Sequence, residues 1–244
     1  MHIWTAHLGA IPSTASVFAV VASEEERQRA GSIRVESVRE RYVAARIFFR
    51  TTLSLYSDAE ASDIVFEQGP HGKPSIAGSE LEFNLTHSAD LALLALCCGR
   101  RVGIDVERIS PMPCALDIAR RFFSADEYTE LASFPPDLQS AAFYATWTRK
   151  EAFLKGLGVG IPNHLGQFTV QTSPCLPAAL LRVEWQPDLS KQWELRDLHV
   201  ESGYCGCLAV EEHLMSVRHF SWSLESCQRA SRIAPWGQIH SADA

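Results

Sequence analysis

The chain has 244 residues, of which 46% are hydrophobic and 21% are charged. This composition excludes a disordered or collagen-like chain, and the length suffices for one large domain or two small ones with a buried core. The formal net charge of −7 argues against a nucleic-acid-binding protein, because a polyphosphate backbone is normally met by a basic surface.

The sequence shows no pattern typical of secretion or of a membrane protein. The seven cysteines form no CxxC pair and no spacing typical of zinc, so we expect reduced thiols. The longest apolar run, residues 91–98, is far shorter than the ~20 residues of a membrane-spanning helix. The apolar run at 17–22 follows no basic segment, and it predicts a buried strand instead of a signal peptide. We therefore expect a cytoplasmic protein that binds no membrane.

In the N-terminal half, the pattern predicts short strands over residues 2–22 and then two helices. Ser23 and the three glutamates after it are typical of a capped helix start, and this helix is predicted to end at Gly31. A longer amphipathic helix is predicted from Glu36 to about Tyr56, because apolar residues recur there at helical spacing. Further strands are predicted at 63–67, 81–86, 91–97 and 102–107, the last two joined as a hairpin by a turn at 99–101.

Two prolines, Pro111 and Pro113, mark a break near the middle of the chain. Beyond this break the pattern predicts helices at 114–121, 125–133 and 137–155, and strands at 167–172, 181–185, 192–200 and 204–210. We place a soft boundary near residue 105. The predicted divisions are an N-terminal half at 1–105, a C-terminal half at 106–222 and a tail at 223–244.

Two carboxylates are predicted to share one face of the strand at 102–107. Because side chains alternate along a strand, Asp105 and Glu107 point the same way and lie about 6.5 to 7 Å apart. This arrangement allows both to bind one cation. A half-buried edge strand with its polar face in water explains the same pattern, and on this segment alone both interpretations stay open.

A third carboxylate lies on the predicted helix at 137–155. At 100° per residue, Glu151 falls within the apolar sector of this helix. A buried carboxylate needs a partner, and its i+4 neighbour Lys155 contributes only ~0.2 to 0.5 kcal/mol. A divalent ion shared with Asp105 and Glu107 is a stronger partner, because Mg²⁺ prefers oxygen ligands and accepts substrate phosphates. The alternative is a glutamate that reaches the surface from the edge of the apolar stripe.

Several cations are candidates to bind a polyanion near such a metal. Nearby positive charge is required because an acidic trio alone repels a phosphate ester or a diphosphate. The candidates are Lys73, His87, Lys150, Lys155 and the arginines between residues 29 and 46. Two of them have a structural alternative: residues 72–74 form a common turn motif, and His87 alone is typical of a satisfied core histidine.

The order and spacing of these motifs resemble the two-domain 4′-phosphopantetheinyl transferases. Five segments carry the resemblance: 72–74, 83–88, 103–107, 121–124 together with 127–128, and 143–160. The resemblance covers about residues 23–172, and five ordered motifs are more specific than any one of them. It implies an α+β fold of two similar α/β halves related by pseudo-twofold symmetry, with coenzyme A in the cleft between them.

The resemblance also implies a role for each candidate residue. Asp105, Glu107 and Glu151 would hold Mg²⁺ together with the diphosphate of coenzyme A. Glu151 would also be the general base, and Lys155 would contact the diphosphate and stabilise the charge that develops on it. The residues expected at the nucleotide end of coenzyme A are Arg29, Lys73, Pro74, Thr86 and His87.

The activity implied by the resemblance is transfer of 4′-phosphopantetheine from coenzyme A to a serine of an apo acyl or peptidyl carrier protein, with release of adenosine 3′,5′-bisphosphate. Such carrier proteins serve polyketide, nonribosomal peptide or fatty acid synthesis. We expect a monomer, and we expect the carrier protein to dock near Arg39, Arg46 and Arg120. Two alternatives stay open: a metal-dependent phosphoesterase that acts on a nucleotide diphosphate, and a coenzyme A-binding module without catalysis.

Overall fold

The computed structural model describes residues 1–11, 15–160, 164–213 and 216–225. Helices and strands are both present throughout these ranges, so the fold is a mixture of α and β structure, as predicted. None of the helices in the described ranges is long and apolar enough to span a membrane.

The N-terminal part of the chain builds one sheet and the helices that cover it. Its elements are β1 (His2–His7), α1 (Ala15–Val21), α2 (Glu24–Ser32), α3 (Glu36–Ser54), β2 (Phe66–Gln68), β3 (Pro74–Ile76), β4 (Leu81–Ser88) and β5 (Leu91–Cys98). Strands β4, β5 and β1 lie side by side and antiparallel, and β2 pairs with β3. The buried face of α3, including Phe48 and Leu53, belongs to the core beneath this sheet.

The C-terminal part builds a second sheet in a similar way. Its elements are β6 (Val102–Arg108), α4 (Ala115–Phe122), α5 (Ala125–Ser133), α6 (Pro136–Leu157), β7 (Phe168–Val170), β8 (Leu180–Val183), α7 (Leu189–Gln192), β9 (Trp193–Asp197), β10 (Tyr204–Glu211) and β11 (Arg218–Ser221). Strands β9, β10 and β6 lie side by side and antiparallel, and β7 pairs with β8. The last strand, β11, is not part of this second sheet; it pairs in parallel with β1 of the first sheet.

Local sequence explains where α2 and α5 begin. The hydroxyls of Ser23 and Ser124 accept hydrogen bonds from the backbone N–H groups of Glu26 and Glu127, and each glutamate carboxylate accepts one from the backbone N–H of its serine. Each reciprocal pair satisfies two backbone groups that would otherwise lack a partner at a helix start. The serine caps therefore fix the first turn of both helices, as the sequence predicts for α2.

The two sheets meet along β4 and β6, which are joined by side chains instead of a strand ladder. The backbone N–H of Ile104 donates to Oδ1 of Asn84 at 2.8 Å, and the backbone N–H of Arg108 donates to Oγ of Ser88 at 3.0 Å. Buried apolar residues of β5 and β6, among them Leu93, form a core between the sheets. This junction places the polar side chains of β4 next to those of β6.

Helix α6 lies directly on β6 because glycines permit the close approach. A β-carbon on Gly103 would overlap the carbonyl oxygen of Ala152 and the backbone nitrogen of Gly156. Alternate residues of a strand share a face, so the face of β6 that meets α6 is also the face of Asp105 and Glu107. The glycine contact therefore brings the last turns of α6 over these two carboxylates.

The structure corrects two of the predicted elements. Residues 15–21 form α1, so the strand predicted at 17–22 is wrong; a short apolar run does not by itself distinguish a strand from a buried helix. The hairpin predicted between 91–97 and 102–107 is also wrong, because β5 and β6 belong to different sheets. The helices predicted from α2 onward agree with the structure to within two residues at each end. The part of the predicted tail beyond residue 225 lies outside the described residues.

Candidate active site

Three carboxylates, from β6 and α6, lie within electrostatic reach of one another. Asp105 is 2% exposed and Glu151 is 4% exposed, whereas Glu107 is half-buried. Burial raises the pKa of Asp105 to about 6 and the pKa of Glu151 to about 7. The negative charges of Asp105 and Glu107 contribute to the raised pKa of Glu151, while Lys155 opposes the shift. The cluster therefore holds a proton more readily than free carboxylates do.

Asp105 is held by a lysine from α6 and a hydroxyl from β4. Nζ of Lys155 donates to Oδ1 of Asp105 at 2.5 Å, and Oγ1 of Thr86 donates to the same oxygen at 3.1 Å. In the sequence, Lys155 was considered as an i+4 partner of Glu151 that is too weak by itself, and the resemblance implied that it contacts the diphosphate. In the structure its ammonium pairs with Asp105 instead, so this contact joins α6 to β6.

Glu107 also has a hydroxyl partner in β4, the strand that carries Thr86. Oγ of Ser88 donates to Oε2 of Glu107 at 2.7 Å. Thr86 and Ser88 are two residues apart in β4, so they share a face of the strand and orient Asp105 and Glu107 respectively. Sequence reasoning had singled out Thr86 as a coenzyme A contact and did not assign Ser88 a role. In β4 the hydroxyls of Thr86 and Ser88 are two residues apart, and in β6 the carboxylates of Asp105 and Glu107 are also two residues apart. This matched spacing is the sequence signal for both pairs.

The chemistry of the cluster fits a hard divalent cation. Oδ2 of Asp105 is buried and has no hydrogen-bond partner in the part of the chain that the structure describes. A buried oxygen without a partner is costly, and carboxylate oxygens are the ligands that Mg²⁺ prefers. Within the described ranges, no three His, Cys, Asp or Glu side chains are already close enough together to form a metal site. The assignment of Mg²⁺ to Asp105, Glu107 and Glu151 stays a prediction.

A cleft of about 950 Å³ lies between α2, α3 and the segment that contains β2 and β3. Arg29 and Arg46 both line it, and the guanidinium of Arg46 lies 5.5 Å from the ring centre of Tyr42 and 5.3 Å from that of Phe49. Nε of Arg46 is buried and has no hydrogen-bond partner among the described residues. Its nearest carboxylate is Glu26, at 3.6 Å. The cleft therefore offers an anion a guanidinium whose hydrogen-bonding capacity is not used up.

The exposed His87 is within electrostatic reach of Arg46 in the cleft and of Lys155 and Glu107. Partial burial lowers the pKa of its ring, and the positive charges of Arg46 and Lys155 lower it further, whereas Glu107 raises it. Arg46 belongs to the cleft, and the other two belong to the carboxylate cluster. One imidazole is therefore influenced by charges from the cleft and from the carboxylate cluster.

The turn at residues 72–74 lies at the edge of the cleft, but its three residues do not all face it. Gly72 and Pro74 line the cleft. Lys73, between them, directs its ammonium to Glu82 and to the backbone oxygens of Val102 and Gly156, at distances of 3.1, 3.1 and 3.2 Å. The nucleotide contact of Pro74 stays a prediction, while the charged end of Lys73 contacts the protein itself.

The structure shows the surroundings of two further candidate cations, Lys150 and Arg46. Lys150 was a candidate to neutralise a polyanion, but it is fully buried and donates to both carboxylate oxygens of Glu127 at 2.7 Å and to the backbone oxygen of Phe168 at 2.6 Å. This interpretation of Lys150 is wrong. Arg46 was a candidate both for binding a polyanion and for the docking surface, and the structure places it in the cleft.

Comparisons with known proteins agree with the resemblance. A family model described as the 4′-phosphopantetheinyl transferase superfamily matches residues 101–214, which contain all three carboxylates. The 4′-phosphopantetheinyl transferase HetI of Nostoc sp. is 32% identical over 214 residues, which are 86% of this chain and 87% of HetI. The transferase Sfp of Bacillus subtilis is 32% identical over 150 residues, 61% of this chain and 66% of Sfp. The transferase psf-1 of Bacillus pumilus is 45% identical over 111 residues, 45% of this chain and 46% of psf-1.

Proposed function

The chain belongs to the 4′-phosphopantetheinyl transferase superfamily, and on that premise we propose that it transfers the 4′-phosphopantetheine group of coenzyme A to a serine of an apo acyl or peptidyl carrier protein. Adenosine 3′,5′-bisphosphate is the second product. The observation that carries the proposal is the set of three carboxylates within electrostatic reach of one another, Asp105 and Glu151 buried and Glu107 half-buried. Family membership favours this transfer over hydrolysis by a phosphoesterase and over binding without catalysis.

We assign the nucleotide end of coenzyme A to the cleft. Arg29 and Arg46 supply positive charge there, and a guanidinium with free N–H groups suits the 3′-phosphate and the diphosphate. Pro74 lines the same cleft, and His87 is within electrostatic reach of Arg46 there.

Asp105, Glu107 and Glu151 are the residues that would hold Mg²⁺. When bound, the ion would neutralise negative charge on the diphosphate, which favours attack on its phosphorus by a hydroxyl. The buried and unpartnered Oδ2 of Asp105 supports this assignment, because it is an oxygen ligand already removed from water.

Glu151 is the proposed general base. Its pKa, raised to about 7 by burial and by the neighbouring carboxylates, suits the removal of a proton near neutral pH. The serine oxygen of the carrier protein attacks the phosphorus that bears the pantetheine, and its proton passes to Glu151. The bond between that phosphorus and the bridging oxygen breaks, and the bridging oxygen leaves with the adenosine 3′,5′-bisphosphate. Lys155 stabilises the negative charge that develops there, and Thr86 helps to hold this lysine in place.

We also propose that the two halves are related by a pseudo-twofold axis. The strand order β4–β5–β1 of the first sheet corresponds to β9–β10–β6 in the second. In each half a capping glutamate binds a cation of the following long helix, and that cation lies over a phenylalanine ring. The corresponding residues are about 100 positions apart: Ser23, Glu26, Arg50 and Phe66 in one half, and Ser124, Glu127, Lys150 and Phe168 in the other.

Several properties of the whole molecule follow as parts of the same proposal. We propose that the chain acts as a monomer in the cytoplasm, where the six described cysteines, all free, stay reduced. The divisions 1–105 and 106–222 stay a prediction; β6 covers Val102–Arg108, so a boundary at 105 falls within this strand. Carrier-protein docking near Arg39 and Arg120 stays a prediction as well.

Intact-mass spectrometry of an apo carrier protein tests the transfer reaction. The carrier protein is incubated with this chain, coenzyme A and Mg²⁺, and we expect it to gain the mass of one phosphopantetheine group. A carrier protein whose acceptor serine is replaced by alanine is the matched control and should gain nothing. Release of a nucleotide without any carrier protein would instead support the phosphoesterase, and coenzyme A binding without a mass gain would support a binding module.

A further inference from the structure

The side chain of Lys73 crosses from the edge of the cleft to the elements that carry the carboxylates. It lies in the turn whose Gly72 and Pro74 line the cleft. Its ammonium contacts Glu82 Oε2 in β4, the backbone oxygen of Val102 at the start of β6 and the backbone oxygen of Gly156 near the end of α6. One ammonium group thus joins three elements and the cleft wall.

The contact with Gly156 stabilises the end of α6. The last four carbonyl groups of a helix have no partner within the helix. In α6 the backbone N–H of Gly158 donates to the carbonyls of Leu154 and Lys155, and Lys73 donates to that of Gly156. A positive charge at a helix C-terminus is also favoured by the helix dipole. Lys73 therefore caps the turn that follows Glu151 and contains Lys155.

The contact with Val102 holds the other catalytic element. Val102 is the first residue of β6, three residues before Asp105 and five before Glu107. The lack of a side chain at Gly103 already allows α6 to pack closely against this strand. The ammonium of Lys73 bonds to both elements at this packing contact, at 3.1 Å and 3.2 Å.

The ammonium of Lys73 has no hydrogen-bonding capacity left for a phosphate. A lysine ammonium has three N–H donors, and three acceptors surround this one. The side chain is 16% exposed, and its burial lowers its pKa, an effect that Glu82 opposes. Turning the ammonium toward a ligand would leave Glu82 and two carbonyl groups without this partner, which costs more than a typical surface rearrangement.

We propose that Lys73 is a positioning residue: it fixes the cleft wall to α6 and β6, and its ammonium does not contact the nucleotide. This inference rests on the proposed transferase function. Its effect on the reaction is to keep the carboxylates and Lys155 aligned with a substrate held in the cleft. A displacement of about 1 Å between a bound substrate and the catalytic groups lowers turnover by as much as about 100-fold.

The test compares Lys73→Met with the native chain, using coenzyme A and dephospho-coenzyme A as alternative substrates. We expect kcat to fall about 10- to 100-fold, and we expect KM for coenzyme A to change less than about threefold. The preference for coenzyme A over the analogue without the 3′-phosphate should be unchanged. Arg46→Met is the matched comparison, because Arg46 lies in the cleft: it should raise KM and reduce that preference.

Amide hydrogen exchange supplies a readout that does not depend on activity. Lys73→Met should speed exchange at the amides of Gly158 and Val159, which bond to carbonyls in the last turns of α6. Native exchange there, or native kcat in a folded Lys73→Met protein, would overturn the proposal. So would a reduced preference for coenzyme A over the dephospho analogue, because it would mean that Lys73 contacts the phosphate.

A second variant decides the question if Lys73→Met does not fold. Glu82→Ala removes one acceptor of the ammonium and leaves the cleft lining unchanged, so it should lower kcat with an unchanged substrate preference. Native kcat in this variant would overturn the proposal. If the native chain transfers no phosphopantetheine at all, the proposed function fails, while the hydrogen-exchange comparison still tests whether Lys73 holds the end of α6.

Discussion

Glu151 is the residue at which activity and stability oppose each other most directly. It is 4% exposed, and the described residues donate no hydrogen bond to its carboxylate. A buried charge without a hydrogen-bond partner destabilises the folded state. The same burial raises its pKa to about 7, which is the property a base requires near neutral pH.

Replacement of this carboxylate by an amide should therefore separate the two effects. In Glu151→Gln we expect the transfer rate to fall at least about 100-fold, because an amide removes no proton. In the presence of a chelator, the free energy of unfolding measured with urea should rise by about 1 to 2 kcal/mol, because the buried group is now neutral. The exposed Glu130 of α5 offers the control: Glu130→Gln should change neither quantity. Near-normal turnover of Glu151→Gln at saturating Mg²⁺ would remove Glu151 from the mechanism.

The pair formed by Lys155 and Asp105 should show strong coupling. Lys155→Met leaves a carboxylate that is 3% exposed without its cation, and removal of one partner of a buried pair costs about 3 kcal/mol. The double variant Lys155→Met with Asp105→Asn should regain most of that loss in urea unfolding, because neither charge then remains. Transfer activity should stay low in Lys155→Met, in Asp105→Asn and in the double variant. Additive losses of stability in the double variant would show that the two side chains are not coupled.

At the scale of elements, the packing of α6 on β6 determines the geometry of the site. Gly103→Ala would place a methyl group against the backbone of α6, so the helix must move away from the strand. We expect a loss of more than about 2 kcal/mol in the free energy of unfolding and a loss of transfer activity beyond about 10-fold. The control is Gly31→Ala in α2, where a new methyl group meets open space. It should stabilise the protein slightly, by up to about 1 kcal/mol, and leave activity unchanged. Equal effects of the two substitutions on urea unfolding would contradict this account.

Helices and carboxylates were predictable from the sequence because their signals are local. The serine cap of α2 and the apolar spacing of α3 depend on residues within a few positions of each other. The pairing of the strands could not be predicted from the sequence. Strand β6 pairs with β10, about 100 residues later, and not with its sequence neighbour β5. Asp105 and Glu107 share a face whichever strand lies beside them, so their geometry was predicted although the pairing was wrong.

The error over Lys150 has a different physical reason. Amphipathic spacing assigns side chains correctly only when a helix has a buried face and a solvated face. In the second half of α6 the consecutive residues Arg149, Lys150 and Glu151 are 1%, 0% and 4% exposed, so this part of the helix is surrounded by protein. Spacing then cannot indicate which charged residue faces the active site. The contacts decide it: Lys150 binds Glu127, and Glu151 faces Asp105.

At the scale of the whole molecule, the end of the described chain returns to its beginning. β11 pairs in parallel with β1, and Trp222 just after it donates to Oγ1 of Thr51 in α3 at 3.2 Å. The tryptophan is 9% exposed and packs edge-on against Phe48, in the core of the N-terminal half. The C-terminal segment thus holds the N-terminal sheet. Sequence reasoning assigned it no structure, because a strand of four residues that pairs with a partner some 200 positions away leaves no local pattern.

A histidine in β1, next to the pairing of β1 with β11, makes the stability of the fold depend on pH. His2 is 5% exposed, its Nδ1 lies 2.7 Å from the hydroxyl of Tyr56, and its ring packs edge-on against Phe220 of β11 at 5.0 Å between ring centres. Its pKa is lowered from 6.5 to about 4, mainly by burial and also by the positive charges of the N-terminal amino group and Arg218. The folded state therefore disfavours the charged ring.

The direction of the effect follows from which state binds the proton. Between pH 6.5 and about 4 the unfolded chain protonates His2 and the folded chain does not, so the stability that is fully present above pH 6.5 is lost as the pH falls through this window. We expect the loss to reach about 2 kcal/mol near pH 4, less than the full shift implies because solvent screens part of it. Urea unfolding of the native chain and of His2→Asn at pH values from about 7 to about 4 measures it. Because the other titrating groups are common to both proteins, the native chain's advantage over the variant should shrink by that amount as the pH falls. A constant difference, or an imidazole of His2 that titrates near pH 6.5 by NMR, would show that the closure does not bury a neutral ring.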